Sequence, residues 1–222
     1  MNDQATNSTF QDAMDRLSND GFIAYPTETV WGLGASVDRP NAVARLCTWK
    51  GRVSDQPMSV LVSSATAASR MECVLEGGTG RLADAFWPGP LTIIVRCRRS
   101  FAPGIARADG ALGLRCSRHP ISRALALALD DAGLGPITST SLNRTGSRPA
   151  LERKAAQAMA TDGAAEKDEL SSPLVCGALA DGTVFDAGAS SPSTVVDCTS
   201  SELKILREGA IETSLLEEVW AR

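Results

Sequence analysis

Histidine is almost missing from this 222-residue chain, with His119 the single example. That removes a histidine-built metal site, and it leaves any Ser-His-Asp triad to depend on one imidazole set directly before Pro120. The six cysteines, at 47, 73, 97, 116, 176 and 198, include no Cys-x-x-Cys pair, so zinc-knuckle and thioredoxin spacings are absent. Ordinary buried thiols in a reducing compartment are expected. No apolar run approaches the roughly 20 residues needed to span a bilayer. The segment Met1 to Ser8 lacks both a basic start and an apolar stretch, so no signal peptide and a cytoplasmic location are expected. Excess positive charge is also missing: 22 Lys and Arg against 26 Asp and Glu give a net charge of -4, with no global attraction to nucleic acid. A local basic cleft stays open.

What is present is globular: 43% hydrophobic and 22% charged residues, enough for a well-filled core. The pattern predicts a flexible N-terminus over residues 1–8 and one domain over 9–222. Phe10, Met14 and Leu17 at i, i+4, i+7 predict a helix over 9–19, and Phe22 to Tyr25 a strand ending at Pro26. Trp31 to Gly34 reads as a glycine-rich loop. A helix over 41–49, strands at 58–62, 91–95 and 111–115, a helix over 121–129 and a strand at 136–139 follow. Residues 150–168 read as one helix and a mobile loop, and two strands at 194–197 and 203–207 precede a terminal helix at 215–220. Strands alternate with helices, so the fold class is α/β, a mixed sheet with helices on its faces.

Four clusters carry candidate chemistry. In Tyr25-Pro-Thr-Glu-Thr-Val-Trp-Gly-Leu-Gly34 a strand runs into short hydroxyls and glycines, which either line a polar pocket or form a tight turn. Lys50 and Arg52 flank Gly51 at what reads as an exposed helix end, a compact charge beside a planar fork that suits a triphosphate; complementing the helix dipole is the alternative. Ser139, Ser141 and Asn143 alternate by two and would face one side of an extended segment, to meet a ligand or to cap a loop. Ser191-Pro-Ser-Thr-Val-Val-Asp197 adds hydroxyls, with Arg207 in a neighbouring strand.

These clusters, with Trp87-Pro-Gly-Pro-Leu-Thr92, Leu112-Gly-Leu-Arg115 and Leu206-Arg-Glu-Gly209, stand in an order that resembles the YrdC-like family, the threonylcarbamoyl-AMP synthases. The resemblance covers about residues 10 to 212 and implies a twisted mixed sheet around a large concave cavity. It implies a nucleotidyltransferase: L-threonine and bicarbonate or CO2 give N-carboxythreonine, whose carboxylate attacks the ATP α-phosphorus to form threonylcarbamoyl-AMP and pyrophosphate. Separate proteins then pass the group to an adenosine in tRNA. Mg2+ would arrive with ATP, and no tightly bound metal or organic cofactor is expected.

By the same resemblance Lys50 and Arg52 are catalytic and, with Gln56, Ser141, Asn143 and Arg207, bind ATP. Thr29, Arg115, Ser139 and Ser193 bind threonine. The metal ligands are not assigned. The chain departs from the pattern at Trp31, where Tyr or Phe is usual, at Val53 after Lys-x-Arg, at Gln56, and at Leu61, where many members have a histidine. Two alternatives are an RNA-binding or ribosome-maturation factor and a carbamoyl-adenylate enzyme with a different acceptor.

Overall fold

The computed structural model describes residues 10–52, 56–162, 169–188 and 191–222. The flexible start expected at 1–8, the loop expected after 162 and Val53 lie outside these residues. Helix α1 (Phe10–Ser18) buries Ala13, Met14 and Leu17, as its spacing requires. Helix α2 (Pro40–Lys50) opens on Pro40, whose fixed φ suits a first turn. It closes on Gly51 at φ 62°, a left-handed cap whose N–H reaches the Cys47 and Thr48 carbonyls. Helix α3 (Ala65–Arg70) is capped by the Ser64 hydroxyl and is too short to show a period. Then come α4 (Gly78–Phe86), α5 (Pro120–Asp131), α6 (Arg153–Thr161) and α7 (Thr213–Ala221). None of the described helices is long and apolar enough to cross a membrane.

The strands are β1 (Phe22–Tyr25), β2 (Gly32–Ala35), β3 (Ser59–Leu61), β4 (Leu91–Arg96), β5 (Ala111–Arg115), β6 (Ile137–Ser141), β7 (Leu174–Val175), β8 (Thr194–Asp197) and β9 (Lys204–Arg207). They form one mixed sheet in the order β7-β1-β2-β6-β3-β5-β4-β8-β9. Pairs β1/β7, β3/β5 and β4/β8 are parallel, and the other neighbours antiparallel. The mixed α/β fold expected from the alternating pattern is the one observed.

One reading is corrected. Gly32 to Gly34 is not loop but strand, held between β1 and β6. A Cβ on Gly34 would stand 2.6 Å from Ile137 Cδ1 and 2.9 Å from Tyr25 Cε1. Glycine here permits close packing inside a strand, a use that composition does not distinguish from turn chemistry.

Alternation divides the sheet into two faces. Phe22, Ala24, Trp31, Leu33, Val60, Leu91, Ile93, Leu112, Leu114 and Val196 belong to the larger core, which continues into Leu46 of α2, Leu82 of α4 and Leu216 of α7. The opposite face carries Ile23, Tyr25, Leu61 and Ile137, covered by Leu17 of α1 and by Ile121, Leu125 and Leu129 of α5. That second cover ends partway along the sheet.

Candidate active site

Beyond the cover, the second face changes from apolar to polar. Residues paired across strands point to the same side, so the register predicts what lies exposed there. Leu61 pairs with Ile137 under the helices, and two residues away on the same face Ser59 pairs with Ser139. Gly32 pairs with Ser141. Arg115, Thr92, Val195 and Arg207 form a continuous row of partners over β5, β4, β8 and β9. Ser59, Ser139, Gly32, Ser141 and that row, with Thr27, Thr29, Arg52, Asn143, Ser147 and Ser193, line a cleft of about 520 Å³. Three arginines and many hydroxyls face it, and among the described residues no carboxylate is part of the lining.

Arg115 is 7% exposed at the end of β5. Its Nη2 donates to Thr29 Oγ1 at 2.9 Å and lies 3.1 Å from Glu28 Oε1, close enough for an ion pair but outside hydrogen-bond geometry. Its buried Nε has no acceptor. A desolvated guanidinium with a vacant N–H calls for an anion. Thr29 is placed by Thr27, whose Oγ1 accepts from the Thr29 N–H at 3.1 Å and donates to the Val30 carbonyl at 2.7 Å. The threonines thus both satisfy their own backbone and line the cleft.

Lys50 is not at an exposed helix end: it is 3% exposed. Its ammonium lies beneath the turn after β6 and donates to Ser141 O at 2.5 Å, Asn143 O at 2.9 Å and Asn143 Oδ1 at 2.9 Å. Burial, with the nearby Arg52 charge, lowers its pKa to about 8. Asn143 is fixed further by the Ser141 hydroxyl at 2.6 Å and by Nδ2 bonds to Arg144 O at 2.9 Å and Ser147 O at 2.7 Å. The lysine holds the turn, and the turn presents Ser141 and Asn143 to the cleft.

Arg52 does line the cleft, steadied by Pro57 O at 2.7 Å and Gln56 O at 3.3 Å. Gln56 takes part through its carbonyl; the residue is exposed and is not part of the lining. On the far side, Arg207 donates from Nη2 to Ser193 O at 2.7 Å and to Ser193 Oγ at 2.9 Å, and Ser193 Oγ meets Thr92 Oγ1 at 3.2 Å. Burial and then the Arg115 charge push the Arg207 pKa down, so a bound anion would relieve both.

Every sequence-predicted site residue except Lys50 and Gln56 therefore faces one cleft: Thr29, Arg52, Arg115, Ser139, Ser141, Asn143, Ser193 and Arg207. Ser59, Thr92 and Ser147 were not singled out, because isolated serines and threonines carry no pattern until the register is known. Two departures from the family pattern lie away from the cleft. Trp31 falls on the opposite face, fully buried, with its indole N–H donating to Asp186 Oδ1 at 2.9 Å. Leu61 is core beneath α5. His119 is structural: Nδ1 caps α5 by accepting from Ile121 N, and Nε2 meets Asp186 O at 2.7 Å. Among the described residues no group of three or more His, Cys, Asp or Glu is placed to hold a metal.

Comparison with known proteins agrees with this architecture. The family model Sua5_yciO_yrdC, described as "Telomere recombination", matches residues 15–209. A threonylcarbamoyl-AMP synthase of Chromohalobacter salexigens is 35% identical over 203 residues, covering 90% of this chain and 97% of that protein. The structure of P. abyssi Sua5 complexed with L-threonine superposes with a TM-score of 0.77 at 25% identity, covering 93% of this chain. This chain spans only 56% of that longer protein. E. coli YciO shares the fold, with a TM-score of 0.67 at 22% identity over 90% of this chain and 88% of its own. Sequence match and fold agree, and the chain belongs to the Sua5/YciO/YrdC family.

Proposed function

We propose that this chain is a threonylcarbamoyl-AMP synthase, an enzyme that joins L-threonine, bicarbonate or CO2, and ATP, releasing pyrophosphate. The observation that carries the reading is the cleft itself: Arg52, Arg115 and Arg207 line it together with hydroxyls and, among the described residues, without a carboxylate. Such a lining suits two anions, a triphosphate and an amino-acid carboxylate, held side by side. The named relatives and the structural neighbour with bound L-threonine support it.

In this reading Thr29 and the vacant edge of Arg115 take the threonine carboxylate, while Ser139 and Ser193 meet its polar remainder. The threonine nitrogen attacks the carbon of CO2 and loses a proton to solvent, giving the N-carboxy group. An oxygen of that group attacks the α-phosphorus, the bond to the β-phosphate oxygen breaks, and pyrophosphate leaves. Arg52 and Arg207 hold phosphate oxygens as their charge changes, and Ser141 and Asn143 hold the nucleotide from the turn anchored by Lys50. ATP enters as its magnesium complex, so the ion is part of the substrate. No side chain of this chain need move a proton, because positioning and charge neutralisation suffice for a transfer between oxygens. We further propose a cytoplasmic enzyme whose product passes to separate proteins that modify tRNA.

The test is pyrophosphate release by purified protein with magnesium-ATP and bicarbonate, with and without L-threonine. Release that requires L-threonine is expected. Release that is equally fast without it, or that requires another amine instead, would refute the assignment.

A further inference from the structure

Behind the cleft wall sits a charged residue that the proposed chemistry does not use. Glu28, between β1 and β2, is 7% exposed and does not line the cleft, although Thr27 and Thr29 on either side do. Carboxylates are rarely buried without a partner. Its Oε2 accepts the Ser117 hydroxyl, and Ser117 Oγ also accepts the His119 N–H at 3.2 Å. The carboxylate is therefore tied to the start of α5. Its Oε1 stands 3.1 Å from Arg115 Nη2, the nitrogen that also donates to Thr29.

Glu28 and Thr29 thus engage one corner of the Arg115 guanidinium, and Arg115 Nε is left buried without an acceptor. A planar fork recognises a carboxylate only when its rotation is fixed, since both N–H vectors must meet both oxygens. We propose that Glu28 is a positioning residue, which holds Arg115 in the rotation that receives the carboxylate of the amino-acid substrate. The inference rests on the synthase reading and adds to it a residue that never touches the substrate. Burial alone would raise the Glu28 pKa, but the Arg115 charge and the Ser117 hydroxyl outweigh it and hold the carboxyl below its ordinary value. Glu28 is accordingly ionised wherever the enzyme would work, and its charge is available to Arg115.

The experiment compares Glu28→Gln and Glu28→Asp with the wild-type full chain, measuring pyrophosphate release against threonine and, separately, against ATP. A misplacement of about 1 Å in a positioned group costs on the order of 100-fold. The threonine KM of Glu28→Gln should therefore rise about 10- to 100-fold, with ATP KM and kcat at saturating threonine within about threefold. Glu28→Asp keeps the charge but withdraws it by one methylene, and it should fall between the two. It also carries the test if the glutamine variant does not fold. An unchanged threonine KM in a folded variant, or equal losses in threonine KM, ATP KM and kcat, would overturn the positioning role. Wild-type protein that releases no pyrophosphate in response to threonine would overturn the synthase reading, and this inference with it.

Discussion

Replacing Lys50 by methionine removes the ammonium and keeps most of its stem, so it asks what the buried charge does for the turn that faces the cleft. The ammonium makes three bonds, to Ser141 O, Asn143 O and Asn143 Oδ1. Charge-assisted bonds are worth about 1.5–3 kcal/mol each, so the gross loss lies at roughly 4–9 kcal/mol. Methionine escapes the penalty of burying a cation, which a fall in pKa from 10.5 to about 8 sets at about 3 kcal/mol. Asn143 Oδ1 also keeps the Ser141 hydroxyl as donor. The net expectation is a loss of about 1–6 kcal/mol of unfolding free energy, read by urea denaturation with unchanged m. A loosened turn should also lower kcat/KM for ATP by about 100-fold. A variant within about 0.5 kcal/mol and threefold of wild type would show that Lys50 anchors nothing, and the argument would fail.

The pH dependence supplies an independent sign. Because the folded pKa of Lys50 is depressed to about 8 from 10.5, the native chain sheds its proton before the unfolded chain does. The unfolded state then binds more protons, and the Lys50 contribution to stability rises as pH climbs from about 8 to about 10.5. The buried thiols Cys116 and Cys176, both raised by burial to about 11, oppose it: above pH 9 the unfolded chain loses thiol protons that the native chain keeps. The difference between wild type and Lys50→Met isolates the lysine. That difference should be constant below about pH 8 and grow in wild type's favour from about pH 8 to about 10.5.

Trp31→Phe should cost about 1–2 kcal/mol of stability through the lost bond to Asp186 and lost packing, yet leave the threonine KM within twofold, because the ring faces the core. A changed threonine KM would contradict the face assignment. Cys73 and Cys97 are bridged on adjacent segments with sulfurs 2.9 Å apart, and the hydrogen bond from Cys73 lowers the Cys97 pKa. With glutathione disulfide they should form an internal disulfide, releasing two glutathione thiols, and do so faster as pH rises toward 8; mass spectrometry showing both thiols free would refute it.

Much of the fold was legible because its elements state themselves locally. Phe10, Met14 and Leu17 mark a helical face, Pro40 and Gly51 bracket α2, and Ala111 to Leu114 is an apolar run. Gly32 to Gly34 misled because a glycine pair looks the same in a turn and in a strand crossed by Tyr25. The short β7 and α3 carry too few residues to show any period. Of the cleft, the arginines and the alternating Ser139 and Ser141 were visible, since charge and period are properties of the sequence. That Lys50 turns inward was not, since a helix end reads as exposed until Ser141 and Asn143 are seen to lie above it. Glu28 was hidden for the same reason: its charge acquires meaning only from Arg115, which the parallel pairing of β3 with β5 and the ladder onward to β4 bring to the cleft wall.

The most direct measurement is to incubate the protein with magnesium-ATP, L-threonine and 13C-labelled bicarbonate and to analyse the products by mass spectrometry. The account predicts one adenylate that contains threonine and one labelled carbon, formed in equal amount with pyrophosphate. An adenylate without the label, or pyrophosphate with no threonine-bearing adenylate beside it, would contradict the claim that this cleft joins the two substrates.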